Sequence, residues 1–268
     1  MKHETKVALG YAGLATGLVG LGAALGVIAT RRRERPTLMG RREPEALAYR
    51  ASRNIPNLIV IAPPQGSIST TTSQEILSTL RRMPRGPLGI AIHALGGVTI
   101  AVDHVAHALA KWPDRVTAYV PYRAMSGGTL IALAANEIVM DSSAILGPVD
   151  PQLYGLPAVT LAGMAEKKPL DKMKEEWIVF ADEARKALAE TRALVASMVR
   201  SPAAIQRLVG GDTTHGHPIK YGEAKQLGLP VSEGVPAEIR SVVDYEIERN
   251  RHVGPVFFIG GNRHTRIG

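Results

Sequence analysis

Between residues 57 and 146 the chain repeats one alternation, and that alternation restricts its possible folds more than any other feature. Short apolar runs, "NLIVIA", "PLGIAIHA" and "RVTAYVP", are separated by segments with helical spacing, "TTTSQEILSTLRRM", "VTIAVDHVAHALAKW" and "SGGTLIALAAN". Continuous apolar runs of strand length are buried on both faces, and strands linked through helices run parallel. The pattern therefore predicts an α/β fold of βαβ units around a helix-covered parallel sheet. In the first helical segment the spacing turns Leu77 and Leu80 inward. "EIVMD" and "SAILG" follow as short strands. Residues 170–200 form a long helix with Trp177, Phe180, Leu188 and Leu194 near one face, and helices over "GEAKQLGL" and "VPAEIRSVVDYEIERN" close the body.

Ahead of this body, residues 7–30 carry no charge. They are long enough to cross roughly 30 Å of hydrocarbon as a helix. The run exceeds the ~7–15 residues of a signal-peptide core, and Arg31, Arg32, Arg33, Arg35, Arg41 and Arg42 behind it form a stop-transfer flank. The expectation is an uncleaved, single-pass anchor in the cell membrane, with the arginine side and the body in the cytoplasm. Gly13 with Gly17, and Gly22 with Gly26, have the spacing that lets membrane helices pack closely, although glycine is also simply common in such helices. The expected organisation is a membrane anchor at 1–30, a basic linker at 31–56, the α/β body at 57–250 and a flexible Gly/Arg-rich tail at 251–268. The arginine cluster supplies much of the net charge of +8, and at 4% aromatic content no aromatics interleave with it to stack on bases. No nucleic-acid partner is expected. The absence of cysteine excludes disulfides, thiolate metal sites and a cysteine nucleophile.

Ligands of open α/β sheets gather at the carboxyl ends of the strands. Two such ends carry glycine pairs, Gly96–Gly97 in "IHALGGV" and Gly127–Gly128 in "AMSGGT". Either pair alone fits a tight turn equally well; together they favour an active site. There Ser126 would offer its hydroxyl beside the Gly127 N–H, with Gly96 or Gly97 as a second oxyanion donor. The same serine also fits a helix N-cap. For a base, His215 and His217 lie in the polar segment "GGDTTHGHPIKYGEAKQLGLP", where they fit surface groups too, and His93 ends a strand beside Gly96 and is a candidate to line the site. Asp103, His104 and His107 have a spacing that suggests a metal, but a solvated helix face accounts for them better; neither metal nor cofactor is expected. Asp150, stiffened between Pro148 and Pro151, suits either an ordinary turn or the orienting of an imidazole. Asp141 and Asp212 are weaker alternates.

The ordered set "IHALGGVTIAVDHVAHAL", "AMSGGTLIALAANEIVMDSSAILGPVDPQL" and "THGHPIKYGEAKQLGLP" resembles the serine dehydrogenase proteinase family. These are membrane-associated members of the Clp peptidase and crotonase-like superfamily, related more distantly to signal peptide peptidase A. The likeness covers roughly residues 35–250. It implies a Clp peptidase/crotonase-like βαβ superhelix, a serine peptidase acting on peptide or membrane-protein substrates, and a homo-oligomer. Ser126 aligns with the nucleophile and Gly127 with an oxyanion donor, while Leu95 replaces the proline of the "PGG" turn in Clp peptidases. Asp150 falls where Clp peptidases carry their histidine. The Ser, Asp, His order of the resembled family then makes His215 the base and Asp150 its orienter. A Ser–Lys dyad using Lys220, or Lys167, Lys168, Lys172 or Lys174, is the alternative. An acyl-CoA enzyme with the same oxyanion hole and a catalytically silent membrane scaffold are the others. No G-x-G-x-x-G follows any strand, so the family's name brings no expectation of dehydrogenase chemistry.

Overall fold

The computed structural model describes Ile55 and residues 57–250, together with a last strand at Val256–Gly260. The expected anchor, and the basic linker apart from Ile55, lie outside these residues. Among those described, no helix is long and apolar enough to cross a membrane.

The first half alternates as its sequence requires: β1 (Asn57–Ile61), β2 (Ser67–Ile68), α1 (Thr70–Arg82), β3 (Leu88–Ile92), β4 (Gly96–Gly97) and α2 (Thr99–Ala110). There follow β5 (Val116–Val120), β6 (Arg123–Ala124), α3 (Gly127–Leu133), β7 (Glu137–Met140) and β8 (Ile145–Leu146). The second half holds the hairpin β9 (Gln152–Leu153) and β10 (Leu156–Pro157), then α4 (Ala158–Ala162), α5 (Met164–Lys167), α6 (Glu175–Met198) and α7 (Pro202–Val209). It ends with β11 (Ile219–Lys220), α8 (Tyr221–Gln226), β12 (Val231–Glu233), α9 (Ala237–Asn250) and β13 (Val256–Gly260).

One six-stranded sheet, in the order β12-β7-β5-β3-β1-β13, organises the body, and every pairing in it is parallel except β1 with β13. Successive side chains leave opposite faces of a strand. Ile59, Ile61, Ile90, Ile92, Ala118, Val120, Ile138 and Met140 accordingly pack into the larger core with α1, α2, α3 and α7. Leu58, Val60 and Ala91 face the other way, onto Val235 and onto Ile239, Val242 and Val243 of α9. Burial on both faces is why these strands show no polar alternation.

Local chemistry sets the helix ends. Ser69 caps α1, its hydroxyl accepting the Thr72 N–H at 3.1 Å. Ile76 and Leu80 form the buried stripe of that helix; Leu77, expected inward, is one residue off the four-residue spacing and only half-buried. The long helix begins at Glu175 rather than 170, after a 3-10 turn at Leu170–Lys172. Glu175 and Glu176 occupy its first turn, where carboxylates suit the unpaired amides. Val256–Gly260, placed by the sequence reading in a loose tail, is the antiparallel edge strand instead. The run "VFFI" is β-branched and aromatic, the composition that favours a strand.

At the carboxyl end of the sheet, polar side chains close the seam with α9. The Tyr122 hydroxyl donates to Asp244 Oδ1, and this bond is the main cause that pushes Tyr122 up to about 12. Arg240 Nη2 lies 3.0 Å from Asp141 Oδ2. The His93 ring stands edge-on to Tyr122, with centroids 5.7 Å apart and planes at 82°. Burial first, and then the Arg123 guanidinium, press His93 down from its ordinary 6.5 to about 4, against the opposing pull of Asp244. His93 is thus neutral in the fold at pH values where the unfolded chain already binds a proton there. Its contribution to stability is complete above pH 6.5 and is lost as the pH falls from 6.5 to about 4. In His93→Phe, the urea midpoint plotted against pH should decline less steeply across that window. An unaltered slope would remove His93 from the acid response.

Candidate active site

A second, three-stranded sheet in the order β11-β8-β6 positions the candidate residues. β6 pairs parallel to β8, with Ala124 opposite Leu146, and β11 pairs antiparallel, with Ile219 opposite the same Leu146. Ser126 therefore follows β6, Asp150 follows β8 and His215 precedes β11, all at one end of this small sheet. Ser126, Asp150 and His215 line a single open cleft of about 420 Å³, together with Gly96, Gly97 and Gly127.

Ser126 occupies the N-cap position of α3, but its hydroxyl accepts no hydrogen bond from the first turn. The capping role left open by the sequence is thus not performed. Its backbone lies at φ +50°, ψ −117°, a left-handed corner that ordinarily calls for glycine. Gly128 N–H bonds Met125 carbonyl at 2.7 Å across this corner, which turns the serine toward the cleft. A strained serine on a strand-to-helix turn is the geometry of a nucleophile elbow.

The glycine turns crowd against it. A methyl group on Gly96, at φ +136°, would stand 2.9 Å from Ser126 Cβ and 3.4 Å from Gly127 N. One on Gly127 would meet Val102 Cγ2 at 2.5 Å and stand 3.4 Å from Gly97 N. The Gly96–Gly97 turn therefore packs directly against the Ser126–Gly127 turn. As the first residue of α3, Gly127 has an N–H without an intrahelical acceptor. Two backbone donors at one point are what a developing oxyanion needs.

On the other side of the cleft, Asp150 is 2% exposed, and its Oδ1 lies 2.8 Å from His215 Nδ1. A carboxylate oxygen only accepts, so the imidazole donates from Nδ1 and its Nε2 is left facing away from Asp150. Gln152 Nε2 donates to the remaining oxygen, Asp150 Oδ2, at 2.8 Å. Sequence reasoning missed Gln152, because a glutamine beside a proline carries no signal of its own. It also missed Thr129, buried completely in α3. The Thr129 hydroxyl donates to the Ala124 carbonyl at 2.6 Å and accepts the Gly147 N–H at 3.1 Å. One side chain thereby knits the turn before Ser126 to the loop that leads to Asp150.

Other candidates fall elsewhere. His93 does not line the cleft but faces Tyr122 on the α9 side. His217, Asp141 and Asp212 are likewise outside the lining. Lys220, at the N-cap of α8, is exposed and outside it, as are Lys167, Lys168, Lys172 and Lys174. Among the described residues no lysine faces Ser126 in the cleft, and no group of three His, Cys, Asp or Glu could hold a metal.

The sequence model of the ClpP-like SDH-type serine proteinases matches residues 57–264. Among curated proteins, the uncharacterized protein MJ0137 of Methanocaldococcus jannaschii is 38% identical over 200 residues, covering 72% of this chain and 70% of its own length. The uncharacterized protein MJ1495 of the same organism is 32% identical over 185 residues, covering 66% of this chain and 63% of its own. Among solved structures, a ClpP1 mutant from Listeria monocytogenes gives a TM-score of 0.48 at 17% identity, over 69% of this chain and 94% of that one.

Replacing Thr129 by valine keeps the shape but removes the hydroxyl from between two buried backbone groups. We expect a loss of about 1–3 kcal/mol in urea unfolding. A variant of wild-type stability would show that Thr129 does not hold the two loops together.

Proposed function

Because the chain belongs to the ClpP-like SDH-type serine proteinase family, we propose that it hydrolyses peptide bonds with Ser126 as nucleophile, His215 as general base and Asp150 as orienter. The observation that carries this reading is the bond between His215 Nδ1 and buried Asp150, in the cleft that also exposes an uncapped serine. His215 Nε2 takes the hydroxyl proton as Ser126 Oγ attacks the scissile carbonyl. The carbonyl oxygen gathers negative charge and receives the N–H groups of Gly97 and Gly127. Collapse breaks the C–N bond, with the Nε2 proton passing to the leaving amine. A water, deprotonated by the same nitrogen, then releases the acyl group from Ser126.

We propose further that residues 7–30 anchor the chain once in the cell membrane, that the body faces the cytoplasm, and that it works as a homo-oligomer. The charge-free run and the arginines behind it support the first two. An assembly would keep the serine sites away from folded cytoplasmic proteins.

Ser126→Ala should abolish fluorophosphonate labelling and peptide hydrolysis. His215→Ala should lower kcat by roughly a millionfold, and Asp150→Asn by about ten-thousandfold. Undiminished hydrolysis by Ser126→Ala would refute the mechanism; a silent His215→Ala beside an inactive Lys220→Met would put the dyad in its place.

Protease added outside intact cells should spare the body, and a chain lacking residues 1–35 should run larger than a monomer. Digestion from outside would reverse the topology, and a strict monomer would remove the assembly.

A further inference from the structure

Helix α7 lies behind both loops of the His215–Asp150 pair and touches each. The Leu208 carbonyl accepts the Val149 N–H at 2.8 Å, one residue before Asp150. The adjacent Arg207 places Nη1 3.0 Å from the Thr213 hydroxyl, two residues before His215. Its Nε lies 2.6 Å from Glu223 Oε1 on α8, and its side chain is only 14% exposed. The Thr214 carbonyl accepts the His217 N–H at 2.9 Å, so His215 sits inside a closed turn that starts one residue after Thr213, which Arg207 bonds. Two consecutive residues of one short helix thus bond the segments that lead to both members of the pair.

We propose that Arg207 is a positioning residue, which sets the His215 imidazole against Asp150 by gripping Thr213 and Glu223 in one planar fork. The inference rests on the reading of Ser126, His215 and Asp150 as a triad, and it adds what holds the base in place. Arg207 itself does not line the cleft and acts only through the loop. A lysine could replace it only in part, because a single ammonium on a flexible stem cannot present two fixed donors to separate elements.

The test compares Arg207→Met, Arg207→Lys and Thr213→Val in the full-length protein. Two readouts are the low-field proton resonance of an imidazole Nδ1–H held by a carboxylate, and kcat and KM measured separately on a peptide. Arg207→Met and Thr213→Val should each broaden or lose the resonance and lower kcat by up to about 100-fold, the scale of a slight misplacement, with KM little changed. Arg207→Lys should fall between these and the wild type. Thr213→Val keeps the Arg207–Glu223 ion pair and should melt with the wild type, so it carries the test should Arg207→Met fail to fold. A sharp resonance and an undiminished kcat in Thr213→Val, or in folded Arg207→Met, would overturn the proposal. The resonance is read without turnover. If Ser126→Ala left hydrolysis intact, the triad would fall while the effect of Arg207 on the pair was still measured.

Discussion

Burying the Asp150 carboxylate to 2% exposure obliges the fold to bring donors to both of its oxygens, and much of the second half of the chain is arranged to do so. An ionisable group withdrawn from water without partners costs several kcal/mol. Here one oxygen receives His215 Nδ1, from a loop 65 residues further along the chain, and the other receives Gln152, two residues on. The distant donor arrives only because β11 pairs with β8, and β8 in turn with β6, so that a short ladder transmits the placement of the aspartate to the serine. The proposed chemistry depends on a polar group that the fold would otherwise find destabilising.

The large sheet makes that ladder rigid without belonging to it. Its parallel strands end at a common edge, where the isolated bridge between Ala94 and Ala124 joins the glycine turn after β3 to the end of β6, just before the serine turn. Met125 N–H to the Ala94 carbonyl, at 2.9 Å, strengthens the same junction. On the side away from the cleft, Tyr122, His93 and α9 close over this edge. The two faces have opposite characters: one opens to water around a serine, while the other carries apolar packing, the Tyr122–Asp244 hydrogen bond and the Arg240–Asp141 ion pair.

The βαβ body could be read from the chain because its information is local. A run such as "NLIVIA" and a capped helix such as "STTTSQEIL" announce themselves within ten residues. What escaped notice depends on partners far away. β11 and β12 are two or three residues long and exist only through pairing with β8 and β7. Helix α7 was missed although Ser201 caps it and Pro202 opens it, both legible signals. At the candidate site, Ser126, Gly96, Gly97 and Gly127 stood out by residue type at strand ends. His215 and Asp150 could be paired only by resemblance, since no local pattern links residues 65 apart. Thr129, Gln152 and Arg207 are joined to their partners by hydrogen bonds that exist only in the folded chain, and their residue types are too common for one sequence to single out.

If Ser126 is the nucleophile proposed above, its backbone puts opposing selective forces on one position. A serine held at φ +50° stands in a conformation that costs a side chain on the order of 1–3 kcal/mol and glycine far less. That is a large share of the ~5–15 kcal/mol by which a domain typically stays folded. Mutational drift toward glycine at this position would thus yield a sturdier protein without a hydroxyl, and only a demand for the hydroxyl works against it. Lineages released from that demand would have a downhill route to a more stable protein stripped of its chemistry.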